Sequence, residues 1–357
     1  MNVLAFYISD HGFGHASRNI PIIRYILEVN KDIKIIIKTG KDQNEFIMDS
    51  LEEFIDRVDF YFEPMDIGLI LKHGTLDIDV PMLENKVQKY VDTFDEKVGN
   101  EIEFLNYNKV NLVICDIVPW IFKATDKLGI KSLLISNFTW VDIYKEHLSK
   151  EIVDEYLKCY SLANKAILYD LYNKDMEIYL SDFEETSLVC REYNKVEINK
   201  IKSCCEIPTV FLSVGRSVNL HNEIDVSSLD YYFIVTDGIK LNGDNVKYLP
   251  KTTKNTHEYL MACDYVITKA GFGTLAEALI GEKKIAVLSR DNVAEDRNSI
   301  KILKERNLAL EVSYDNFNLK EILESLKKWV PNYKENKFNN SYKEISSKII
   351  NYLKEGV

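Results

Sequence analysis

Val3-Leu4-Ala5-Phe6-Tyr7-Ile8-Ser9-Asp10-His11-Gly12-Phe13-Gly14-His15-Ala16-Ser17-Arg18 is the stretch from which the fold is read. The apolar run Val3–Ile8 reads as a buried strand. Beyond the glycines and histidines, Asn19-Ile20-Pro21-Ile22-Ile23-Arg24-Tyr25-Ile26-Leu27 repeats its apolar residues at helical spacing. Pro21 is expected near the first turn of that helix, where a missing N–H costs least. A turn from a strand's carboxyl end into a helix is where open α/β sheets bind ligands. The helix start offers free N–H groups to an anion, and a histidine there can exchange a proton near neutral pH. The plainer alternative is a tight turn with two solvated histidines; the strand–turn–helix context favours the functional reading.

The same alternation continues outward. Strands are expected at Val3–Ser9, Ile33–Thr39, Val58–Glu63, Leu112–Asp116, Lys131–Ser136 and Ala166–Tyr169, with helices over Asp42–Ile55, Met82–Tyr107 and Phe122–Leu128. Arg191–Pro208 lacks clear periodicity and is rich in Lys, Glu and Asn, so it reads as an interdomain linker. A second strand series follows at Thr209–Ser213, Tyr232–Thr236, Val246–Leu249, Tyr265–Thr268, Lys284–Leu288 and Ala309–Val312. Its helices are His257–Cys263, Thr274–Ile280, Asn298–Asn307 and Leu319–Lys328, with a last helix near Asn340–Lys354. The expectation is two similar α/β domains, residues 1–190 and 209–357, facing each other across a cleft, with the last helix able to return to the first domain. A length of 357 residues agrees with two domains.

Composition narrows the function. Hydrophobic content of 46% and charged content of 28% describe an ordinary globular chain. A net charge of −11 argues against nonspecific nucleic-acid binding. The six cysteines are scattered without a C-x-x-C pair, so free thiols are expected and no metal site is. With no basic leader pattern and no long apolar run, a cytoplasmic location is expected.

A second glycine loop, Lys269-Ala270-Gly271-Phe272-Gly273-Thr274, follows a strand candidate and opens a helix containing Glu277. Small residues admit a phosphate to the backbone, the helix start supplies N–H donors, and Lys269 adds a charge. Glu277 is placed to accept hydroxyl hydrogen bonds from a ribose; a dipole-favoured helix-start acid is its bland alternative. Gly271–Ala276 also fits the dinucleotide pattern G-x-G-x-x-A, with Asp291 beyond it. The loop follows the fourth strand of its series, however, and Asp291 lies in a polar loop, so a nicotinamide or flavin enzyme is the weaker reading. Ser213-Val214-Gly215-Arg216 ends the first strand of the second series and is placed to touch a diphosphate. Glu295, Asp296 and Asn298 precede or open a helix, where they serve sugar hydroxyls or simply cap it.

Taken together these stretches resemble GT-B glycosyltransferases that use nucleotide sugars. More narrowly, the chain resembles the glycosyltransferase-like N-terminal half of L-arabinokinases and its free-standing microbial relatives. The resemblance rests on four stretches: His11–Arg18; Met65-Asp66-Ile67-Gly68-Leu69 through Leu76–Asp79; Cys115–Trp120 with Ile135–Trp140 and Tyr144; and Lys269–Leu279. Arg216 departs from it, standing where a second glycine is usual.

The resemblance implies two Rossmann-like domains with a cleft between them. It implies a nucleotide diphosphate sugar, a UDP-sugar favoured, held by the C-terminal domain, and an unidentified acceptor held by the N-terminal one. The implied enzyme is a hexosyl- or N-acetylhexosaminyl-transferase, inverting, and without metal or cofactor. His15 matches the general-base position, Asp116 would orient it, and His11 is the other candidate base; Asp116→Asn is expected to cost less than loss of His15. Donor contacts are assigned to Gly14, Ser213, Gly215, Arg216, Lys269, Gly271, Phe272, Gly273, Thr274, Glu277, Glu295, Asp296 and Asn298. Asp66, Asp77, Asp79, Asn137 and Trp140 are assigned to the acceptor side, so Asp77-Ile78-Asp79 is not read as a metal-binding pair. Membrane contact is expected only for a lipid-linked acceptor. The competing functions are a nucleotide-sugar hydrolase, in which His15 would activate water, and a non-catalytic sugar-nucleotide-binding module.

Overall fold

A computed structural model describes residues 2–72, 77–214, 223–236, 238–250, 253–289, 293–314 and 317–355. The chain forms two compact units, Met1–Cys190 with Asn340–Val357, and Arg191–Asn339.

The first unit runs β1 (Asn2–Ile8), α1 (Gly14–Val29), β2 (Ile33–Thr39), α2 (Lys41–Ser50), β3 (Val58–Phe62), α3 (Val80–Val91), α4 (Phe94–Tyr107), β4 (Leu112–Asp116), α5 (Ile121–Leu128), β5 (Lys131–Ser136), α6 (Trp140–Tyr144), α7 (Lys150–Tyr160), β6 (Lys165–Tyr169) and β7 (Phe183–Thr186). Its strands form one sheet ordered β3-β2-β1-β4-β5-β6-β7, and every neighbouring pair is parallel. The inner strands are apolar on both faces because helices cover both, so Leu4–Ile8 and Leu112–Asp116 are buried without alternation. The strand order reverses between β1 and β4, whose ends pair Ile8 with Asp116. That reversal opens a crevice outside the strands' carboxyl ends.

The second unit contains α8 (Lys195–Ser203), β8 (Thr209–Ser213), β9 (Ile224–Asp225), β10 (Tyr232–Val235), β11 (Leu241–Asn242), β12 (Val246–Tyr248), α9 (Thr256–Ala262), β13 (Tyr265–Lys269), α10 (Phe272–Ile280), β14 (Lys284–Ser289), α11 (Ala294–Glu305), β15 (Leu310–Ser313) and α12 (Leu319–Lys328). Its main sheet, β12-β10-β8-β13-β14-β15, is also parallel and reverses between β8 and β13, where Ser213 pairs with Thr268. The last helix, α13 (Tyr342–Lys354), belongs to the first unit and packs on α1, with Ser346 Oγ donating to the Ile22 carbonyl at 3.0 Å.

Three local expectations need correction. Arg191–Pro208 is not an irregular connector: Asn194 caps α8 through Val196 N–H at 2.9 Å, and α8 packs on α9. Met82–Tyr107 is two helices, α3 and α4, parted at Asp92 and Thr93. Pro21 does not sit near a first turn, because α1 begins at Gly14 and carries Pro21 inside it, fully within the buried face. The burial of the surrounding Ile20, Ile22, Ile23, Ile26 and Leu27 offsets the hydrogen bond that Pro21 cannot donate.

Among the described residues no helix is long and apolar enough to cross a membrane.

Candidate functional site

The early start of α1 shapes the first-unit site. Gly12 takes φ +83°, a left-handed conformation that glycine adopts without a Cβ penalty, and the turn then enters the helix at Gly14. His15, Arg18 and Asn19 fall at positions i, i+3 and i+4, so they share one helix face. That face meets Asp116 at the end of β4.

Asp116 is 1% exposed and receives four donors. His15 Nδ1 lies 2.9 Å from Oδ1, Arg18 Nε donates to Oδ2 at 2.7 Å, and Asn19 Nδ2 donates to Oδ2 at 2.7 Å. Arg18 Nη2 also donates to Oδ1. The Arg18 guanidinium, 3% exposed, reaches Ser136 Oγ at 3.1 Å through Nη2 and Asn137 Oδ1 at 2.7 Å through Nη1. Burial opposes ionisation of Asp116, but Arg18 and His15 outweigh it and hold the carboxyl well below its usual range.

This network assigns the His15 tautomer. Arg18 Nη2 also sits 3.0 Å from His15 Nδ1, but its two hydrogens have oxygen acceptors in Asp116 and Ser136. Nδ1 therefore keeps its own hydrogen and donates it to Asp116, which leaves the Nε2 lone pair as an acceptor. Nε2 makes no hydrogen bond among the described residues. Burial lowers the His15 pKa, Asp116 raises it, and the Arg18 charge lowers it; the net shift is down, so the ring is neutral at pH 7.

The turn after Asp116 is strained. Ile117, a β-branched residue, has φ +61°, and its carbonyl is held by Tyr160 Oη at 2.6 Å. Such a conformation costs about 1–3 kcal/mol and persists only where the surroundings impose it.

Residues assigned to the acceptor side divide between two places. Asn137 and Trp140 flank the Asp116 network on the β5–α6 turn. Thr139 and Asp142 build that turn as a capping box, and Asn173 N–H holds the Asn137 carbonyl at 2.9 Å. Trp140 Nε1 donates to Asp66 Oδ2 at 3.0 Å, and its ring stacks on Tyr144 with centroids 5.3 Å apart. Asp66 is buried, and burial followed by the neighbouring Asp10 raises its pKa well above the ordinary carboxyl range. Asp77 and Asp79 lie elsewhere, on the returning arm of a short antiparallel bridge between Leu71 and Ile78. Asp77 is exposed, and Asp79 caps α3 by accepting from Met82 N–H at 3.1 Å.

His11 is exposed and rests edge-on against Trp140, with ring centroids 5.6 Å apart. Its ring occupies the space beside Gly68, where a Cβ would fall 1.8 Å from Nδ1. Gly14 is the exposed first residue of α1.

In the second unit, Gly271 precedes α10 and its carbonyl accepts the first helical bond, from Leu275 N–H at 3.1 Å. Gly273 and Thr274 therefore lie in the first turn, before the helical ladder begins. Lys269 ends the neighbouring β13. Ser213 ends β8, with its hydroxyl bonded to Thr236 Oγ1 at 2.9 Å and its carbonyl to Thr268 Oγ1 at 2.9 Å. Phe272 is buried in the packing of α10. Glu277, 7% exposed, pairs with Arg191 Nη2 at 3.1 Å. Glu295, Asp296 and Asn298 occupy the first turns of α11, with Asp296 buried. Gly215, Arg216 and Asp291 lie outside the described residues.

Arg18, Asn19, Ser136 and Arg191 were not among the expected site residues. The His15-x-x-Arg18-Asn19 spacing was the available signal for two of them, once the helix is started early enough. The pattern around Arg191 carries no such signal.

The arrangement also revises one expectation. Asp116 accepts from four donors, so an amide there would turn an N–H toward at least one of them. On this geometry Asp116→Asn is expected to be no milder than loss of His15.

No family model matches the chain. It is 26% identical over 306 residues to the L-arabinokinase of Arabidopsis thaliana, a match covering 82% of this chain and 29% of that protein's length. The chain thus corresponds to less than a third of that relative. Among solved structures, Arabidopsis thaliana UGT89C1 complexed with UDP-L-rhamnose aligns with a TM-score of 0.64 at 13% identity, covering 99% of this chain and 95% of that one. CalG4, the calicheamicin glycosyltransferase, aligns with a TM-score of 0.63 at 12% identity, covering 100% and 95%. The fold is that of the GT-B glycosyltransferases.

Proposed function

We propose that the protein transfers a sugar from a nucleotide diphosphate sugar, a UDP-sugar favoured, to an acceptor hydroxyl, with inversion and without a metal ion or cofactor. The observation that carries this reading is the His15–Asp116 pair. It presents a neutral imidazole whose Nδ1–H is fixed at 2.9 Å from a buried carboxylate and whose Nε2 is left to accept a proton. The UDP-L-rhamnose bound to UGT89C1 supports the donor class. The hexosyl- or N-acetylhexosaminyl class of the sugar and the identity of the acceptor belong to the proposal as well.

In this reading the acceptor hydroxyl gives its proton to His15 Nε2 as its oxygen bonds to the anomeric carbon. The bond from that carbon to the diphosphate oxygen breaks, and the diphosphate leaves with the electron pair. Asp116 balances the imidazolium as it forms, and Arg18 and Asn19 hold Asp116. In the second unit, the amides of the first turn of α10 and the Lys269 ammonium are assigned to the leaving diphosphate, a role that needs no divalent ion. Ser213 and the first turns of α11 are assigned to the rest of the donor, and Glu277 to its ribose. Asp66, Asn137 and Trp140 are assigned to shaping the acceptor side.

A thermal-shift screen against nucleoside diphosphates and nucleotide sugars tests the donor assignment, since a ligand bound to the folded state raises its stability by mass action. A UDP-dependent rise is expected. No shift with any nucleotide at millimolar concentration would overturn it. Release of UDP at full rate without any acceptor would replace transfer by hydrolysis.

A further inference from the structure

We propose that Arg191 is the positioning residue for Glu277: it pins one carboxylate oxygen so that the other is presented to a ribose hydroxyl of the nucleotide. The inference rests on the donor-site reading above and adds to it a residue that contacts no nucleotide.

Glu277 sits on α10, the helix whose first turn is assigned to the diphosphate. Its Oε1 accepts from Arg191 Nη2 at 3.1 Å. Its Oε2 takes no hydrogen bond among the described residues, and the side chain keeps 9% of its surface exposed. One oxygen is anchored and the other is left unanchored.

The guanidinium is itself held from several sides. Nη1 donates to the Lys254 carbonyl at 2.8 Å, and Nη2 also donates to Thr256 Oγ1 at 3.0 Å, at the start of α9. The next residue of α9, His257, directs Nε2 to the Glu192 carbonyl at 2.9 Å, which places its hydrogen on Nε2 and leaves Nδ1 as an acceptor. His257 Nδ1 and Arg191 Nε are both buried without a partner, one an acceptor and the other a donor. Burial and then the Arg191 charge bring His257 down to about 3, so the ring is neutral and adds no competing cation. Among these contacts Glu277 is the one anion facing Arg191.

The electrostatics run the same way. Burial raises the Glu277 pKa, and Arg191 opposes that rise through its charge and its hydrogen bond. Without Arg191 the buried carboxyl shifts further toward its neutral form. A neutral acid donates one hydrogen bond where a carboxylate accepts, and it loses the charge that makes the ribose contact strong.

The test compares the affinity of the full chain for UDP and for 2′-deoxy-UDP by calorimetry, in the wild type, Arg191→Met, Arg191→Lys, Glu277→Gln and the double variant Arg191→Met with Glu277→Gln. The wild type should prefer UDP by roughly 10- to 100-fold, the worth of one hydrogen bond to a charged group. Arg191→Met should bring that ratio close to 1, as Glu277→Gln does, while 2′-deoxy-UDP affinity stays within a few-fold of wild type. Arg191→Lys should restore most of the preference, and the double variant should lose no more than either single change. A preserved ratio in Arg191→Met overturns the inference. So does an equal loss of affinity for both nucleotides, which marks a structural role. If the wild type binds UDP without preferring it over the deoxy form, the ribose role of Glu277 fails; if it binds neither nucleotide, the donor-site reading itself fails.

Discussion

Replacing Asp116 by asparagine removes one charge and one acceptor from a group that four buried donors share. Arg18, 3% exposed, loses the buried carboxylate paired with it. Removing one partner of a buried, hydrogen-bonded ion pair costs about 3–5 kcal/mol, because the remaining charge stays in a dry site. The amide adds a second effect. Whichever way it turns, its NH₂ meets His15 Nδ1–H and Arg18 Nη2 on one side, or Arg18 Nε and Asn19 Nδ2 on the other. Turned toward His15, it favours the opposite tautomer, with the hydrogen on Nε2 and no base facing the acceptor. The expected outcome is a melting temperature lower by about 6–20 °C and turnover reduced at least as far as in His15→Ala. The stability gap should be full above the ordinary carboxyl pKa near 3.9. It should shrink as pH falls below that value, because the depressed Asp116 pKa contributes stability only while unfolded carboxyls would still ionise. The double variant Arg18→Met, Asp116→Leu should be more stable than either single change, since it leaves no unpaired charge. A loss under about 1 kcal/mol for Asp116→Asn, with turnover intact, would refute the reasoning.

The pH profile of kcat/KM should be flat at neutral pH and fall on acidification through an apparent pKa below 6.5, since His15 must be neutral to act and burial lowers it; an acid limb centred above pH 7 would point to another base. Glu277→Ala should weaken UDP binding by about 1.5–3 kcal/mol, read by calorimetry, and EDTA should leave turnover unchanged; strict loss with EDTA and recovery with Mg²⁺ would contradict the assignment of the diphosphate to α10 and Lys269. Glu101→Leu should destabilise the chain by about 2–3 kcal/mol in a denaturant titration, less than a fully orphaned charge, because buried Lys38 keeps Glu63 at 3.3 Å when Glu101 at 2.6 Å is lost; kcat should not change.

Much of the fold was legible because parallel sheets covered on both faces demand apolar runs. Ile33–Thr39, Leu112–Asp116 and Lys131–Ser136 occur at the expected residues. Weaker periodicity hid β7, whose Phe183-Glu184-Glu185-Thr186 has one large apolar residue, and the two-residue strands β9 and β11. The break between α3 and α4 was invisible because no Gly or Pro marks it. Pro21 misled more seriously. Taken as a helix-start signal, it set the beginning of α1 at Asn19, past His15 and Arg18, and so concealed that these two share a helix face with Asn19. Asp116 was reachable from its place at a strand's carboxyl end. Arg191 was not, because its role comes from a long-range contact with Glu277 that no local spacing encodes.

The central claim is proton transfer by His15 during sugar transfer. Its most direct measurement is UDP release from a panel of UDP-sugars, with and without a library of hydroxyl acceptors, by wild type and His15→Ala, with glycoside products identified by mass spectrometry. The account predicts acceptor-dependent release that falls by roughly 10²–10⁴ in His15→Ala, while UDP affinity stays near wild type. Release independent of acceptor, or full turnover retained in His15→Ala, would contradict it.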